Sequence, residues 1–137
     1  MSDRNRAIIE EFRANEGRVG GNFAGRPMLL LTHTGARSGR TYTNPLVYLP
    51  DDGRLVVFAS RGGAPTNPDW YHNLMAHPTA TVEVGTETYE VDVAEVHGAE
   101  RDRLVARQIE ISPVFGDYER RTSRRIPVLA LTRRNRA

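Results

Sequence analysis

Two pairs of short apolar runs in this sequence are joined by reversals too short for any crossover, which commits the chain to an antiparallel sheet. Asn44 to Leu49 and Leu55 to Ser60 flank Pro50-Asp51-Asp52-Gly53, residue types that favour a tight reversal. Thr79 to Val84 and Glu87 to Val96 flank Gly85-Thr86, a two-residue loop with glycine first, as a type II′ turn requires. Tyr89, Val91 and Val93 give the last of these strands one apolar face. Met28-Leu29-Leu30-Leu31 has no polar face, which suits a strand buried on both sides, and Pro127 to Thr132 supplies a sixth strand.

Three stretches change to helical spacing. Ala7, Ile8, Ile9 and Phe12 recur between charges, and glycines at 17, 20 and 21 end the pattern, so 3–15 reads as an amphipathic helix. Asn67-Pro68-Asp69 offers an N-cap, a proline at the first helical position and an acid in the first turn. Trp70, Leu74 and Met75 then form a stripe, and Pro78 stops it. Glu100 to Ile111 buries Leu104, Val105 and Ile109 before Pro113. The expected fold is mainly β (α+β), an antiparallel barrel of about six strands with an N-terminal helix and two or three interposed helices. Closure removes exposed edges. The 137 residues fit one domain, with 1–26 as its helix and glycine-rich loop.

Composition removes several chemistries. The chain has no cysteine, so disulfides, thiolate metal sites and thiol nucleophiles are excluded. His33, His72, His77 and His97 show no ligand spacing with carboxylates, so no metal site is expected. All 19 basic residues are arginine, and seven fall from Arg120 onward. Arginine suits phosphate and carboxylate, but stacking aromatics are absent near that cluster, so no nucleic-acid partner is expected. The opening residues lack a signal peptide's apolar stretch, and no run approaches the roughly 20 apolar residues of a spanning helix, so the expected location is the cytoplasm.

Two stretches hold candidate chemistry. Thr34-Gly35-Ala36-Arg37-Ser38-Gly39-Arg40 packs glycines, a hydroxyl and two guanidiniums into seven residues, the inventory of an anion cradle or of an ordinary polar hairpin. Ala59 to Trp70 runs from a strand end through Gly62-Gly63 to a capped helix start, where amides and a positive dipole end converge beside flat aromatic surface. No nucleophile or acid–base constellation accompanies them. That absence is compatible with a hydride-carrying cofactor, which brings its own reactive atom.

These segments, together with Glu10 to Asn15, Asn44-Pro45-Leu46, Asn73-Leu74 and Arg125-Ile126-Pro127, resemble the deazaflavin-dependent nitroreductase and quinone reductase family of actinobacteria, split β-barrels that use coenzyme F420. The resemblance implies that Arg37, Ser38, Gly39 and Arg40 hold the coenzyme's phosphate and oligoglutamate tail. Ser60, Arg61 and Gly62 would lie along the deazaflavin ring, and Asn67, Trp70 and Asn73 would line its ribityl and phosphate side. Asn44, Pro45, Ala59, Gly63, Pro68 and Asp69 are further cofactor-binding residues that the resemblance implies. Tyr42 stands where relatives often carry a further basic residue, a contact Arg40 would take over.

The same resemblance implies a substrate pocket of Val47, Ser112, Phe115 and Tyr118, with Tyr118 and Ser60 at the reacting centre. Ser112 replaces an aromatic ring of the nitroreductase-type members, so nitroimidazole reduction is not carried over. The implied activity is hydride transfer from reduced F420 to a quinone or similar conjugated acceptor by a monomer or homodimer. Peripheral membrane contact through the N-terminal helix is a further expectation. The alternatives are a non-catalytic F420 carrier and a flavin mononucleotide-dependent oxidoreductase of the same barrel group.

Overall fold

A computed structural model describes residues 3–122 and 124–134. Strand pairing follows the short turns. One antiparallel sheet of seven strands has the order β2-β1-β5-β6-β7-β4-β3, with β1 Met28–Thr34, β2 Thr41–Val47, β3 Leu49–Asp51, β4 Arg54–Phe58, β5 Thr79–Val84, β6 Glu87–Val96 and β7 Val128–Arg133. The helices are α1 Asp3–Ala14, α2 Asp69–Ala76, α3 Gly98–Ile111 and α4 Val114–Arg121. Single 3-10 turns occupy Gly21–Phe23 and Arg61–Gly63. The Gly85-Thr86 turn joins Val84 to Glu87 as the spacing predicts. Asp52 and Gly53, both at positive φ, connect the paired Asp51 and Arg54.

The count of six strands is corrected to seven, because the run Asn44 to Leu49 is two strands interrupted at Tyr48. Their positions explain the break. β2 and β3 are the two opposite edges of the sheet, so the chain passes from one edge to the other through a single residue. Tyr48 N–H donates to Pro27 O at 3.1 Å instead of extending a ladder. Covalent continuity closes the curled sheet there, which is the sense in which this barrel is split.

Alternation along the strands sends side chains into separate cores. Leu29, Leu31, Val57, Val82, Val91 and Leu131 pack with Trp70 and Leu74 of α2. Val56, Val128 and Ala130 pack on the other face with Leu104 and Val105 of α3 and Phe115 of α4. Met28 and Leu30 meet Ile9 and Phe12 of α1. The leucine run is therefore covered on both sides, each buried leucine contributing about 1.5–3 kcal/mol. The apolar stripe of α1 packs on this core through Ile9 and Phe12, with Ile8 half-buried at its edge. Among the described residues no helix is long and apolar enough to cross a membrane.

Candidate active site

A groove of about 1270 Å³ runs along β2, between the β1–β2 turn and the start of α2 on one side and α3 and α4 on the other. It exceeds the roughly 300–1,000 Å³ of ordinary small-ligand sites, giving room for an elongated cofactor and a second molecule.

The turn after β1 is built to a tight specification. Gly39 N–H donates to Gly35 O at 3.1 Å, and Gly35 N–H donates to Arg40 O at 2.7 Å. Ser38 Oγ accepts from Arg40 N at 3.1 Å and lies 3.1 Å from Tyr42 Oη. A second set of bonds ties the turn to α2. Asn73 Oδ1 accepts from Ala36 N at 2.9 Å, Asn73 Nδ2 lies 3.1 Å from His33 Nδ1, and His33 Nε2 lies 2.7 Å from Asn44 Oδ1. His33 is buried, and burial lowers its pKa despite the opposing effects of Asn44 and Asp69.

The second wall is the turn after β4. Arg61 takes φ +47°, uncommon for a residue with a β-carbon, and Gly63 takes φ +82° with its Cα against α4, where an added β-carbon would stand 3.0 Å from Tyr118 O. Gly63 N–H returns to Ser60 O, while the Ser60 and Arg61 amides have no acceptor among the described residues, as at the start of any helical turn. Arg124 organises the whole loop. Its guanidinium donates to Ala59 O at 3.1 Å, Ser60 O at 2.7 Å, Ala64 O at 2.9 Å and Asn67 Oδ1 at 2.6 Å. Burial, then the neighbouring Arg61, pushes the Arg124 pKa below its ordinary value.

The far end of the groove is apolar and aromatic. Phe115 is buried edge-on against Phe58, with ring centroids 5.0 Å apart, and Tyr118 stands half-buried beside it at 6.5 Å. The Tyr118 hydroxyl has no hydrogen-bond partner among the described residues. Ser112 is buried, and its Oγ accepts from Arg26 at 3.3 Å.

Of the residues singled out from sequence, Arg37, Ser38, Asn44, Pro45, Val47 and Ser60 line the groove. So do Arg61, Pro68, Asp69, Trp70 and Asn73, and at the aromatic end Ser112, Phe115 and Tyr118. Gly39, Arg40, Ala59, Gly63 and Asn67 are not among the lining residues, and the surroundings of Gly62 lie outside what the structure describes. The expected N-cap at Asn67 is corrected: α2 has no side-chain cap, and Asn67 Oδ1 accepts from Arg124. Phe115 is floor more than free face, because its ring is spent on Phe58. Trp70 is likewise mostly core, at 7% exposed.

Sequence reasoning missed His33, because a lone histidine in an apolar strand gives no sign of its partners at 44 and 73. It also assigned Arg124 to a basic tail. That tail proves to be largely neutralised in place: Arg120 pairs with Asp117, Arg125 with Asp102, Arg133 with Glu87, and Arg134 with Glu90 and Asp92.

Arg13, Arg54, Arg101 and Arg103 also have carboxylate partners. Arg26, Arg37, Arg40, Arg61 and Arg124, which line the groove or build its walls, have none among the described residues. A site that gathers unpaired guanidiniums, free amides and a partnerless phenol beside flat apolar surface is made for an anionic ligand with a planar ring.

Curled antiparallel sheet and groove together define a split-barrel cofactor-binding protein. A family model described as F420H(2)-dependent quinone reductase matches residues 4–133. An F420H(2)-dependent quinone reductase of Mycobacterium tuberculosis is 38% identical over 127 residues, covering 90% of this chain and 85% of that protein. A solved F420-H2 dependent reductase (FDR-A) superposes with a TM-score of 0.71 at 36% identity, over 77% of this chain and 94% of its own. Another structure, described as a domain-swapped dimer, gives a TM-score of 0.72 at 32% identity, over 95% and 99%. The chain belongs to the F420H(2)-dependent quinone reductase family. It is an F420H2-dependent reductase, and reduced coenzyme F420 is its hydride donor.

The residues present fit that coenzyme. Its anionic part calls for cations without carboxylate partners, which Arg37, Arg40 and Arg61 supply. The turn that carries the first two closes only around a bare Gly35, where a β-carbon would collide with Ser38 and Tyr42.

Proposed function

We propose that the groove binds F420 along its length and a quinone at its aromatic end, and that this chain reduces the quinone to the hydroquinone. The observation that carries the reading is the continuity of one groove from the unpaired Arg37 and Ser38 turn to Phe58, Phe115 and Tyr118. A carrier has no use for the second half.

When bound, the reduced coenzyme supplies a hydride. Arg37 and Ser38 would hold its phosphate and tail by charge-assisted contacts, with Arg40 beside them. The amides of Ser60 and Arg61, stiffened by Arg124, would donate to its polar groups. Asn44, Pro45 and Val47 would contribute the floor of its site. The Tyr118 hydroxyl donates to the quinone oxygen and holds the proton that accompanies the hydride, while Phe58 and Phe115 keep water from that end.

Two titrations and one assay test this reading. F420 binds in preference to flavin mononucleotide, and F420H2 is consumed stoichiometrically with a quinone. Preferential binding and turnover with flavin mononucleotide, or tight F420 binding with no quinone reduced, overturns it.

A further inference from the structure

The buried imidazole behind the β1–β2 turn carries a further inference, which rests on the anion-holding role proposed above for that turn. Proton positions along the line Ala36, Asn73, His33, Asn44 are fixed from its backbone end. Ala36 N–H can only donate, so the Asn73 atom at 2.9 Å is the carbonyl Oδ1. The amide Nδ2 of the same side chain then faces His33 Nδ1 at 3.1 Å, and that nitrogen must accept. His33 therefore carries its proton on Nε2 and donates to Asn44 Oδ1 at 2.7 Å.

We propose that His33 is a positioning residue for the coenzyme: its neutral Nε2–H form latches the Arg37–Arg40 turn through Asn73, and protonation at Nδ1 opens the latch. A proton added at Nδ1 points at the Asn73 NH2 group, donor against donor. Rotating that amide relieves the contact but turns NH2 toward Ala36 N–H, again donor against donor. One of the two bonds is lost in either orientation, and the imidazole, 3% exposed at the wall of the groove, has little water to relieve the conflict.

The groups around the ring fix the direction of the effect. Asp69 on α2 favours the cation, as does the Asn44 acceptor on β2, whereas burial opposes it more strongly. Tyr42, paired across the ladder, stacks tilted at 6.0 Å, and Arg37 and Arg40 are the charged residues of the adjoining turn. On β5 the nearest paired residue is Thr81, opposite Thr32, which does not titrate. The latch is thus closed at neutral pH and opens below the usual histidine range.

Nitrogen-15 NMR of the coenzyme-free protein from pH 7.5 to 4.5 tests the latch without any ligand. His33 is expected as the Nε2–H tautomer, with the Ala36 amide signal moving at the same midpoint as the imidazole. The opposite tautomer, or an Ala36 amide indifferent to that titration, overturns the proposal. F420 titration across the same range then compares the natural protein with His33→Gln, whose amide can still donate to Asn44 but does not ionise. The natural protein should lose about tenfold in affinity relative to the variant as His33 protonates, the equivalent of one hydrogen bond. Ionisations of the coenzyme itself occur with both proteins and cancel, so parallel profiles overturn the proposal. Coenzyme that binds at no pH while the NMR coupling persists overturns the F420 reading and leaves the latch standing.

Discussion

A β-carbon on Gly35 would stand 2.5 Å from Ser38 Oγ and 2.9 Å from the Tyr42 ring, so the turn closes only around a bare backbone at this position. Gly35→Ala is expected to push Ser38 off Arg40 N and Tyr42, costing about 1–2 kcal/mol of stability by overpacking. F420 affinity should fall with it by about tenfold or more. Urea unfolding and fluorescence titration on the same sample check both effects, and unchanged affinity would move the anion site away from this turn.

Arg124 satisfies three backbone carbonyls and a side-chain amide at once. Arg124→Met should destabilise the protein by about 2–4 kcal/mol, because those acceptors lose their donor together. Arg124→Lys should recover little, since an ammonium cannot reproduce the planar fork. A thermal melt in the absence of coenzyme reads the loss. A lysine variant as stable as the natural protein would show that charge alone suffices.

Tyr118→Phe separates chemistry from binding. The ring still packs beside Phe115, but the hydroxyl is gone. The kcat for quinone reduction should drop about tenfold or more with F420 affinity unchanged, as expected when a contact made mainly in the transition state is removed. Equal losses in coenzyme affinity and kcat would place the tyrosine in the cofactor site instead.

Away from the groove, Asp51 is held by Arg103 and Arg54, which pull its pKa from 3.8 to about 2. A folded-state pKa below the unfolded value means stability that is present above about pH 4 and lost as pH falls through about 2. Asp51→Asn should cost about 2 kcal/mol at pH 7 and flatten the acid limb of the stability curve below pH 4. Urea midpoints measured at several pH values would show it, and an unaltered acid limb would assign that limb to other carboxylates.

The parts of the fold that were legible in the sequence are those governed by neighbours in the chain. Asp52-Gly53 and Gly85-Thr86 fix their hairpins by local dihedral preference, and the leucine run at 29 to 31 announces its double burial. Pro113 was read as a stop and is also the residue before α4, a helix whose short, arginine-rich stretch hides its two inward rings among charges. The break at Tyr48 was invisible because it is set by which edges of the sheet meet, not by Tyr48 itself. In the candidate site, Gly35, Arg37 and Ser38 were marked by their local composition and do line the groove. His33 and Arg124 were not so marked, since their partners lie 11 to 65 residues away and nothing local marks a long-range hydrogen bond.

The unpaired guanidiniums around the groove make the folded chain an incomplete salt. Arg26, Arg37, Arg40, Arg61 and Arg124 repel one another and form no ion pair among the described residues, so the native state without coenzyme carries a self-energy that an anion lowers. Because a ligand that binds only the folded form stabilises it by mass action, the coenzyme acts on this protein as a folding partner as well as a reactant. Resistance of the folded chain to proteolysis should therefore rise with coenzyme concentration.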